Sequence, residues 1–403
     1  MSQFKVAFIS SLITVLCVSI AFAYFYTRTD EVSVSSKNIS DTTPINVEKV
    51  STTPEKNEGD REAISDKLYE SRSNSITRTV NKVSPAVVGI NVKEIRQYRD
   101  PWSSNPFWRQ FFGDRGVYNR EINGLGSGVI ISPDGYIITN DHVAGRADEV
   151  IITMTNGKHY DAKIIGTDMV SDVCLLKIDE ENLPHVKLGD SDKILIGEWA
   201  IALGNPFGLF DINDKPTVTV GVVSSVGMNL GENSGRYYLD MIQTDAAINS
   251  GNSGGPLLNG LGELIGMNTL IYTAQGSSGS VGVGFAIPIN KVKRVIEELK
   301  TSGKVDRAFV TGLRGQTIDE GIAKYYQLPT TNGVIITYVQ KDSPSEVAGL
   351  EEGDIILNVD KYRITNFETL VAVINEFRPG DKVKLKIQRG DSIINKTLKL
   401  EKR

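Results

Sequence analysis

The sequence GNSGGP occupies residues 251–256 and directly follows DAAINS at residues 245–250. A serine hydroxyl is a poor nucleophile at neutral pH, so it needs a base for its proton and donors for the oxyanion formed on the substrate. Because glycine has no Cβ, Gly251 can adopt backbone angles that direct its N–H and that of Ser253 to one point. The alternative interpretation is an ordinary glycine-rich turn between strands. The stretch predicts a nucleophile, with an oxyanion hole built from Gly251, Asn252 and Ser253.

Two further motifs supply a base and a group to orient it. TNDHVAG at residues 139–145 contains His142, and SDVCLLK at residues 171–177 contains Asp172. The order His, Asp, Ser along the chain is that of chymotrypsin-type enzymes. We expect His142 to be the general base, Asp172 to orient it from a buried position, and Ser253 to attack the substrate.

Other candidate groups carry weaker signals. His159 and His185 lie in no such motif, and three histidines without ligand spacing argue against a zinc enzyme. Cys174 lies beside Asp172 on an apolar strand and is expected in the core, while Cys17 is distant, so we expect no disulfide. The net charge of −5 gives no reason to expect nucleic-acid binding. No cofactor or metal is predicted.

The N-terminal part of the chain contains two segments of different character. Residues 6–26 carry no charge, and at about 1.5 Å rise per residue a helix of this length crosses the roughly 30 Å hydrocarbon core. This favours a membrane anchor over residues 1–27. A signal peptide cleaved near Ala23 is the alternative, and it stays open. Residues 28–72 are polar and predict a flexible tether, because they cannot bury enough apolar surface to offset their ordering entropy.

The middle of the chain predicts mainly β structure. Residues 75–93 indicate a short helix, ended by Pro85, that runs into a first strand. From Gly124 onward, short apolar runs alternate with turn signals such as Pro-Asp-Gly at residues 133–135 and Asn-Gly at residues 156–157. This spacing is typical of a sandwich or barrel.

An aromatic segment lies between the first two predicted strands. It predicts either a local buried cluster or an assembly element. Its aromatic residues are Trp102, Phe107, Trp108, Phe111, Phe112 and Tyr118.

Together the motifs resemble the HtrA (Deg) family of trypsin-like serine proteases. The matching segments are residues 126–131, 139–145, 171–177, 202–208, 243–257 and 284–288. Ser250 departs from the proline that the family often has. The resemblance implies a chymotrypsin-like double six-stranded antiparallel β-barrel over residues 73–302, with the active site in the cleft, followed by one α+β PDZ domain over residues 303–403. It also implies a homotrimer or a larger assembly of trimers.

The resemblance places the substrate-binding residues around Ser253. Apolar pocket walls at Ile248, Ile271 and Tyr272 favour small aliphatic side chains at the cleaved position. Met267, Thr269 and Leu270 are expected on an edge strand that pairs with an extended substrate.

The C-terminal segment predicts a peptide-binding module. Residues 342–356 strongly resemble the PDZ domains of HtrA proteases, in which a free C-terminus adds as a strand to the groove. The family's carboxylate loop corresponds to Thr311, Gly312 and Leu313. Leu370 and Val373, on the predicted helix at residues 367–377, either line the pocket or pack in the core.

The resemblance implies an ATP-independent serine endopeptidase of the bacterial periplasm or inner membrane, acting on unfolded or flexible proteins in quality control or stress signalling. The single PDZ domain and the anchor resemble regulatory members, whereas the insertion at residues 111–114 resembles degradative ones. The alternative is a PDZ-containing chaperone or peptide-binding scaffold with latent proteolysis, because family sites can rest misaligned until a peptide binds.

Overall fold

The computed structural model describes residues 72–99, 117–205, 208, 210, 214–249, 251–271, 282–328 and 331–403. The predicted anchor, almost all of the predicted tether and most of the aromatic segment lie outside these residues. Within these ranges, no helix combines the length and the apolar character needed to cross a membrane.

The described chain begins with the predicted helix and a first barrel. Helix α1 (Ser75–Val83) starts at the capping residue Asn74, and Pro85 lies in the 3-10 turn that follows it. The strands are β1 (Val87–Arg99), β2 (Val117–Ile130), β3 (Tyr136–Thr139), β4 (Glu149–Met154), β5 (His159–Asp168) and β6 (Val173–Ile178). They close antiparallel in the order β1-β2-β3-β6-β5-β4, and the short helix α2 (Asp141–Ala144) follows β3. Both predicted turns, at residues 133–135 and 156–157, connect strands here.

The second barrel is built from later strands. Its elements are β7 (Lys187–Leu188), β8 (Trp199–Gly204), β9 (Thr217–Met228), the hairpin of β10 (Gly231–Asn233) and β11 (Arg236–Tyr238), β12 (Met241–Thr244), β13 (Pro256–Leu258), β14 (Glu263–Ile271) and β15 (Gly284–Pro288). The sheet order β13-β8-β9-β12-β15-β14 closes through a β13–β14 pairing, and β7 adds to β14 in parallel. The predicted pair of six-stranded barrels is confirmed.

The two barrels share one apolar core. Val129 and Leu175 from the first barrel and Leu203 and Leu264 from the second belong to the same buried cluster. Such burial contributes about 25 cal/mol for each Å² of apolar surface removed from water. The first barrel, which carries His142 and Asp172, is therefore held against the second barrel, which carries Ser253. Helix α3 (Ile289–Ser302) packs on β5, β6 and β14.

The PDZ domain follows α3. Its elements are β16 (Phe309–Val310), β17 (Leu313–Thr317), α4 (Glu320–Tyr325), β18 (Val334–Val339), α5 (Pro344–Val347), β19 (Ile355–Val359), β20 (Tyr362–Arg363), α6 (Phe367–Ile374), β21 (Lys382–Arg389), β22 (Ser392–Lys399) and β23 (Glu401–Lys402). The main sheet has the order β17-β18-β19-β21-β22, so β17 is an edge strand. Helix α6 ends three residues before the predicted end at residue 377, with Asn375 as its C-cap.

Charged side chains join the PDZ domain to the protease domain within one compact unit. Arg378 donates to Glu298 on α3 at 2.8 Å. Glu376 binds Arg294 at 2.7 Å and also pairs with Lys291, both on α3. Each pair spans the boundary between the domains, so the PDZ domain has a defined docking surface on the protease.

Candidate active site

His142 and Asp172 form a direct pair. The Nδ1 atom of His142 lies 2.9 Å from Oδ2 and 3.0 Å from Oδ1 of Asp172, and the His142 backbone N–H donates to Oδ1 at 3.0 Å. An ionised carboxylate only accepts, so Nδ1 carries the proton and Nε2 is left as an acceptor. The imidazole is one-third exposed, so this acceptor is within reach of a substrate complex.

Asp172 lies fully buried in the turn before β6, at a left-handed φ of 56° that aspartate tolerates better than most residues. Besides His142, its carboxylate accepts from Thr269 Oγ1 at 2.8 Å, Arg236 Nε at 3.1 Å and the Tyr238 hydroxyl at 3.3 Å. Burial alone raises the pKa of Asp172, but the hydrogen bonds and charge of His142 outweigh it and hold the pKa below its ordinary value. The carboxylate is therefore ionised at neutral pH.

Ser253 lies beside the same constellation. Its hydroxyl donates to the carbonyl oxygen of Thr269 at 3.0 Å, and among the described residues no hydrogen bond joins it to His142. Because the Thr269 hydroxyl donates to Asp172, this one residue on β14 contacts both the serine and the buried carboxylate. The structure thus brings the histidine and aspartate together and places the serine within the same hydrogen-bonded group.

The turn at Ser253 presents two amides. In the described part of the chain, neither Gly251 N–H nor Ser253 N–H has a recorded acceptor, whereas Asn252 N–H donates to the Asn249 carbonyl at 3.0 Å. Gly251 has a φ of 97°, the left-handed region that favours glycine. Of the three predicted hole residues, Gly251 and Ser253 have amides without an acceptor among the described residues, and Asn252 does not.

Ser127 holds this turn, and the sequence reasoning missed its role. The Ser127 N–H donates to the Ser253 carbonyl at 3.0 Å. Its hydroxyl donates to the Gly251 carbonyl and accepts from Asn205 N–H at 2.7 Å. The signal that could have found it is the Gly-Ser-Gly of the matched segment at residues 126–131.

The predicted substrate-binding residues are placed differently from one another. Ile248 is fully buried in the core of the second barrel, where it packs on Gly284. Met267 pairs with Pro256 on one side and Ile287 on the other, so the expectation of an edge strand at Met267 is wrong. Both edges of β14 are engaged there because β13 closes the barrel.

On the side of β14 that faces β13, the backbone becomes free of strand pairing only after Asn268. Asn268 still exchanges backbone hydrogen bonds with Gly254 and Gly255, at 2.8 and 3.0 Å. After Asn268, Thr269 is 4 % exposed and directs its carbonyl to Ser253. The side chains of Leu270 and Ile271, and all of Tyr272, lie outside the described residues.

The competing nucleophile and bases lie elsewhere. Cys174 is fully buried, and burial together with the charge of Asp141 raises the pKa of its thiol to about 12. A protonated, buried thiol is inert. The burial of Cys174 in an apolar cluster confirms its predicted place in the core. His159 contacts Thr153, and His185 contacts the Leu183 carbonyl. No group of three or more potential metal ligands occurs among the described residues.

A groove in the PDZ domain lies between β17 and α6. It encloses a cavity of about 270 Å³ whose lining includes Thr311, Leu313 and Leu370. Gly312 has a φ of 75°, and a Cβ there would overlap Ser343. Val373 is fully buried in the domain core, so of its two alternatives the structure supports core packing.

Comparisons with known proteins agree with these two domains. Residues 126–267 match the family described as a trypsin-like peptidase domain, and residues 312–400 match a PDZ domain. A probable periplasmic serine endoprotease, DegP-like, of Marinomonas sp. (strain MWYL1) is 41% identical over 330 residues, 78% of this chain and 68% of the relative. The protein of the same name from Chlamydia trachomatis is 38% identical over 356 residues, 83% of this chain and 70% of the relative.

Solved structures show the same arrangement. The HtrA-type protease AlgW with a decapeptide superposes with a TM-score of 0.61 at 35% identity, covering 81% of this chain and 98% of that one. The serine endoprotease from Yersinia pestis gives 0.51 at 32% identity, covering 82% and 99%. The double barrel and the PDZ domain of this chain, together with these relatives, show that the chain belongs to the HtrA family of trypsin-like serine endoproteases.

Proposed function

We propose that His142, Asp172 and Ser253 are the catalytic triad, with the Gly251 and Ser253 amides as the oxyanion hole. The observation that carries this is the pairing of His142 with a buried, ionised Asp172 while Thr269 contacts both Asp172 and Ser253. In catalysis the Ser253 hydroxyl leaves the Thr269 carbonyl and donates to Nε2 of His142.

The reaction then follows from the geometry. Ser253 Oγ bonds to the substrate carbonyl carbon as His142 takes its proton, and Asp172 stabilises the resulting imidazolium. The developing oxyanion accepts from the two amides, each worth roughly 3–4 kcal/mol of barrier in a comparable site. His142 then returns the proton to the leaving amine, and a water molecule activated by the same base releases the acyl group.

The substrates we propose are unfolded or flexible polypeptides in the periplasm, the location that the names of the DegP-like relatives state. An extended chain can pair with β14 only beyond Asn268, and an unfolded or flexible polypeptide readily takes up that extended conformation. We propose small aliphatic side chains at the cleaved position, because Ile248 fills the space over Gly284. Mass spectrometry of casein fragments tests this; cleavage mainly after basic or aromatic residues would contradict it.

We further propose that peptide binding at the PDZ groove regulates proteolysis. Arg307 lines the groove and donates its Nε to the carbonyl of Asn375, the C-cap of α6, at 2.8 Å. Its guanidinium also binds the buried Asp168, with Nη2 at 2.8 Å from Oδ2. Asp168 in turn accepts from the Ser171 N–H at 3.1 Å. One side chain thus connects the groove wall to the turn that carries Asp172.

Replacing Arg307 with glutamine tests this connection. In the wild type we expect a peptide with an apolar C-terminus to raise the casein rate by at least about fivefold, the lower end of ordinary allosteric coupling. In Arg307→Gln the stimulated and basal rates should lie within about twofold of each other, because the groove no longer reaches Asp168. Arg363→Gln, at an exposed position on β20, is the matched control. Equal stimulation in all three proteins would rule out this route.

The ionisation of Asp168 sets the pH range for the Arg307→Gln experiment. Burial raises its pKa, but Arg307 and Ser171 outweigh burial and hold the pKa below its ordinary value of about 3.9. A lowered folded-state pKa gives stability that is present above pH 4 and lost as the pH falls through the folded value. Stimulation measured between pH 6 and 8 therefore reports a fully ionised pair.

The groove itself is tested with Phe367, which lines the cavity and is 39% exposed. We expect Phe367→Ala to weaken binding of an apolar C-terminal peptide by about tenfold, because an aromatic contact is lost from the groove wall. Fluorescence anisotropy measures the dissociation constant. Val347→Ala, at a site 85% exposed and away from the cavity, should leave it unchanged. Equal binding of a C-terminally amidated peptide would contradict capture of a free C-terminus.

Two parts of the proposal concern residues outside those described. We propose that residues 6–26 anchor the chain in the inner membrane; a mature N-terminus at Tyr24, found by mass spectrometry, would refute this. We also propose a homotrimer to which Phe111 and Phe112 contribute, and an unchanged particle size after alanine replacement of both would exclude them.

A peptide-binding scaffold with latent proteolysis is the second candidate function. The observation that favours it is the Ser253 hydroxyl, which is bound to Thr269 and not to His142. A fluorophosphonate probe separates the two functions, because it reacts only with an activated serine. Absence of Ser253 labelling even with saturating PDZ peptide would favour the scaffold.

A further inference from the structure

Two buried carboxylates flank His142. Asp141, the residue before it, is 4% exposed, and Asp172 is fully buried. Thr167 Oγ1 donates to Oδ1 of Asp141 at 2.6 Å. Two buried like charges close together destabilise one another, so the protein must either neutralise one of them or supply a counter-charge.

Arg236 supplies that counter-charge. Its Nη2 lies 2.7 Å from Oδ2 of Asp141, and its Nε lies 3.1 Å from Oδ1 of Asp172. The guanidinium side chain is only 13% exposed, so solvent screens these contacts weakly. Among the described residues, it is the one arginine or lysine paired with either carboxylate. Burial lowers the pKa of Arg236, but Asp172 and Asp141 outweigh burial and raise it, so Arg236 stays charged.

The backbone fixes the position of Arg236. It lies on β11, whose hairpin with β10 docks on the turn that precedes Asp172. Tyr237 N–H donates to the Val170 carbonyl at 2.9 Å, and the Tyr238 hydroxyl donates to Asp172 at 3.3 Å. A side chain between two anchored neighbours loses little entropy when it forms its two ion pairs.

We propose that Arg236 is a positioning residue of the protease site, and that with Asp141 it sets the charge balance around His142. This rests on the triad proposed above. With neutral His142, the group formed by His142, Asp141, Asp172 and Arg236 carries a net charge of −1. That net charge becomes zero when His142 takes the serine proton. Without Arg236 the corresponding net charges are −2 and −1. The imidazolium is then over-stabilised, and the imidazole of His142 becomes too basic to be a well-matched general base.

Among the described residues, the other charged and titratable groups near His142 lie on β1, just after α2, and on β6 and β11. On β1, Glu94 and Arg96 line a cavity of about 210 Å³ next to the imidazole and pair with each other at 2.8 Å. Arg146, after α2, lines the same cavity. On the strands behind, burial raises the pKa of both Cys174 and Tyr238, so both are neutral at working pH. These groups are unchanged in the variants below.

The test is the pH profile of kcat/KM on a fluorogenic peptide, whose acid limb reports the base of the free enzyme. Loss of a nearby cation favours imidazolium, so Arg236→Gln should move the acid limb upward by about half to one pH unit. Arg236→Lys keeps the charge and should stay near the wild type. Asp141→Asn should move the limb downward. The double variant Arg236→Gln/Asp141→Asn restores the net charge, and its limb should return towards the wild-type position.

The controls separate this inference from the triad. Arg78→Gln, at an exposed site on α1, should leave the profile unchanged. If Arg236→Gln does not fold, as judged by circular dichroism, two other variants carry the comparison: the limb of Asp141→Asn should move downward, and that of the double variant should lie near the wild-type position. A lower rate with an unshifted acid limb in the single variants Arg236→Gln and Asp141→Asn would overturn the inference and leave Arg236 a structural residue. Absence of Ser253 labelling in the wild type, even with saturating PDZ peptide, would instead refute the triad itself.

Discussion

Ser253→Ala is expected to abolish casein digestion, lowering kcat by a factor on the order of 10⁶, as removal of the nucleophile does in a comparable serine protease. The reason is that the oxyanion amides and His142 have no covalent partner to act on. A few-thousand-fold residual acceleration over water is the most that substrate binding and the oxyanion hole alone supply. The measurement is release of acid-soluble fragments over days, so that the residual rate is resolved.

The controls for this prediction lie in the same chain. Ser392→Ala, at an exposed position on β22, should leave the rate unchanged. Ser253→Ala should still bind PDZ peptides with wild-type affinity, because the groove between β17 and α6 contains no residue of the turn at 251–256. Digestion by Ser253→Ala within tenfold of the wild type would mean that another group performs the chemistry.

The sequence predicted the parts of this protein whose signals are local. Turn residues at 133–135 and 156–157 connect the strands on either side of them. The spacing of apolar runs indicated a sandwich or a barrel, and the family resemblance chose the pair of barrels. The resemblance connected motifs that are far apart in sequence, including those of His142 and Asp172, which the fold places in contact. In each case the residue type at a position already restricts the backbone or the chemistry.

The parts that sequence reasoning missed depend on contacts over long separations. Arg236 meets Asp172 across 64 positions and Asp141 across 95, and no pattern near Arg236 indicates either contact. Ser127 reaches Gly251 across 124 positions. A lone polar residue in a strand or hairpin is usually solvated, so its type gives no sign of such a role.

The correction at Met267 has a related cause. The alternation of residues along β14 shows which side chains are buried, but it does not show how many neighbouring strands pair with its backbone. The short strand β13 closes the barrel against β14, and that closure occupies the edge expected to receive substrate. Within the described part of β14, the three residues after Asn268 keep an edge for strand addition.

Asp172→Asn is expected to lower kcat by about 10⁴-fold while leaving the fold intact. Asparagine is nearly isosteric with aspartate and also tolerates the left-handed φ of 56° found here. Its amide donates where the carboxylate accepted, so Nδ1 of His142 must become the acceptor and Nε2 then carries the proton. In that tautomer the imidazole cannot take a proton from Ser253.

The contacts of Asp172 define how this variant should behave. Thr269, Tyr238 and Arg236 each lose the negative charge that they now face, and Arg236 is left with Asp141 as its carboxylate partner. The variant should therefore melt at a lower temperature than the wild type, and fluorophosphonate labelling of Ser253 should slow in step with kcat. Asp179→Asn, at an exposed site after β6, controls for loss of one surface charge. A kcat within tenfold of the wild type would show that His142 does not depend on Asp172 for its tautomer, and the proposed triad would have to be redrawn.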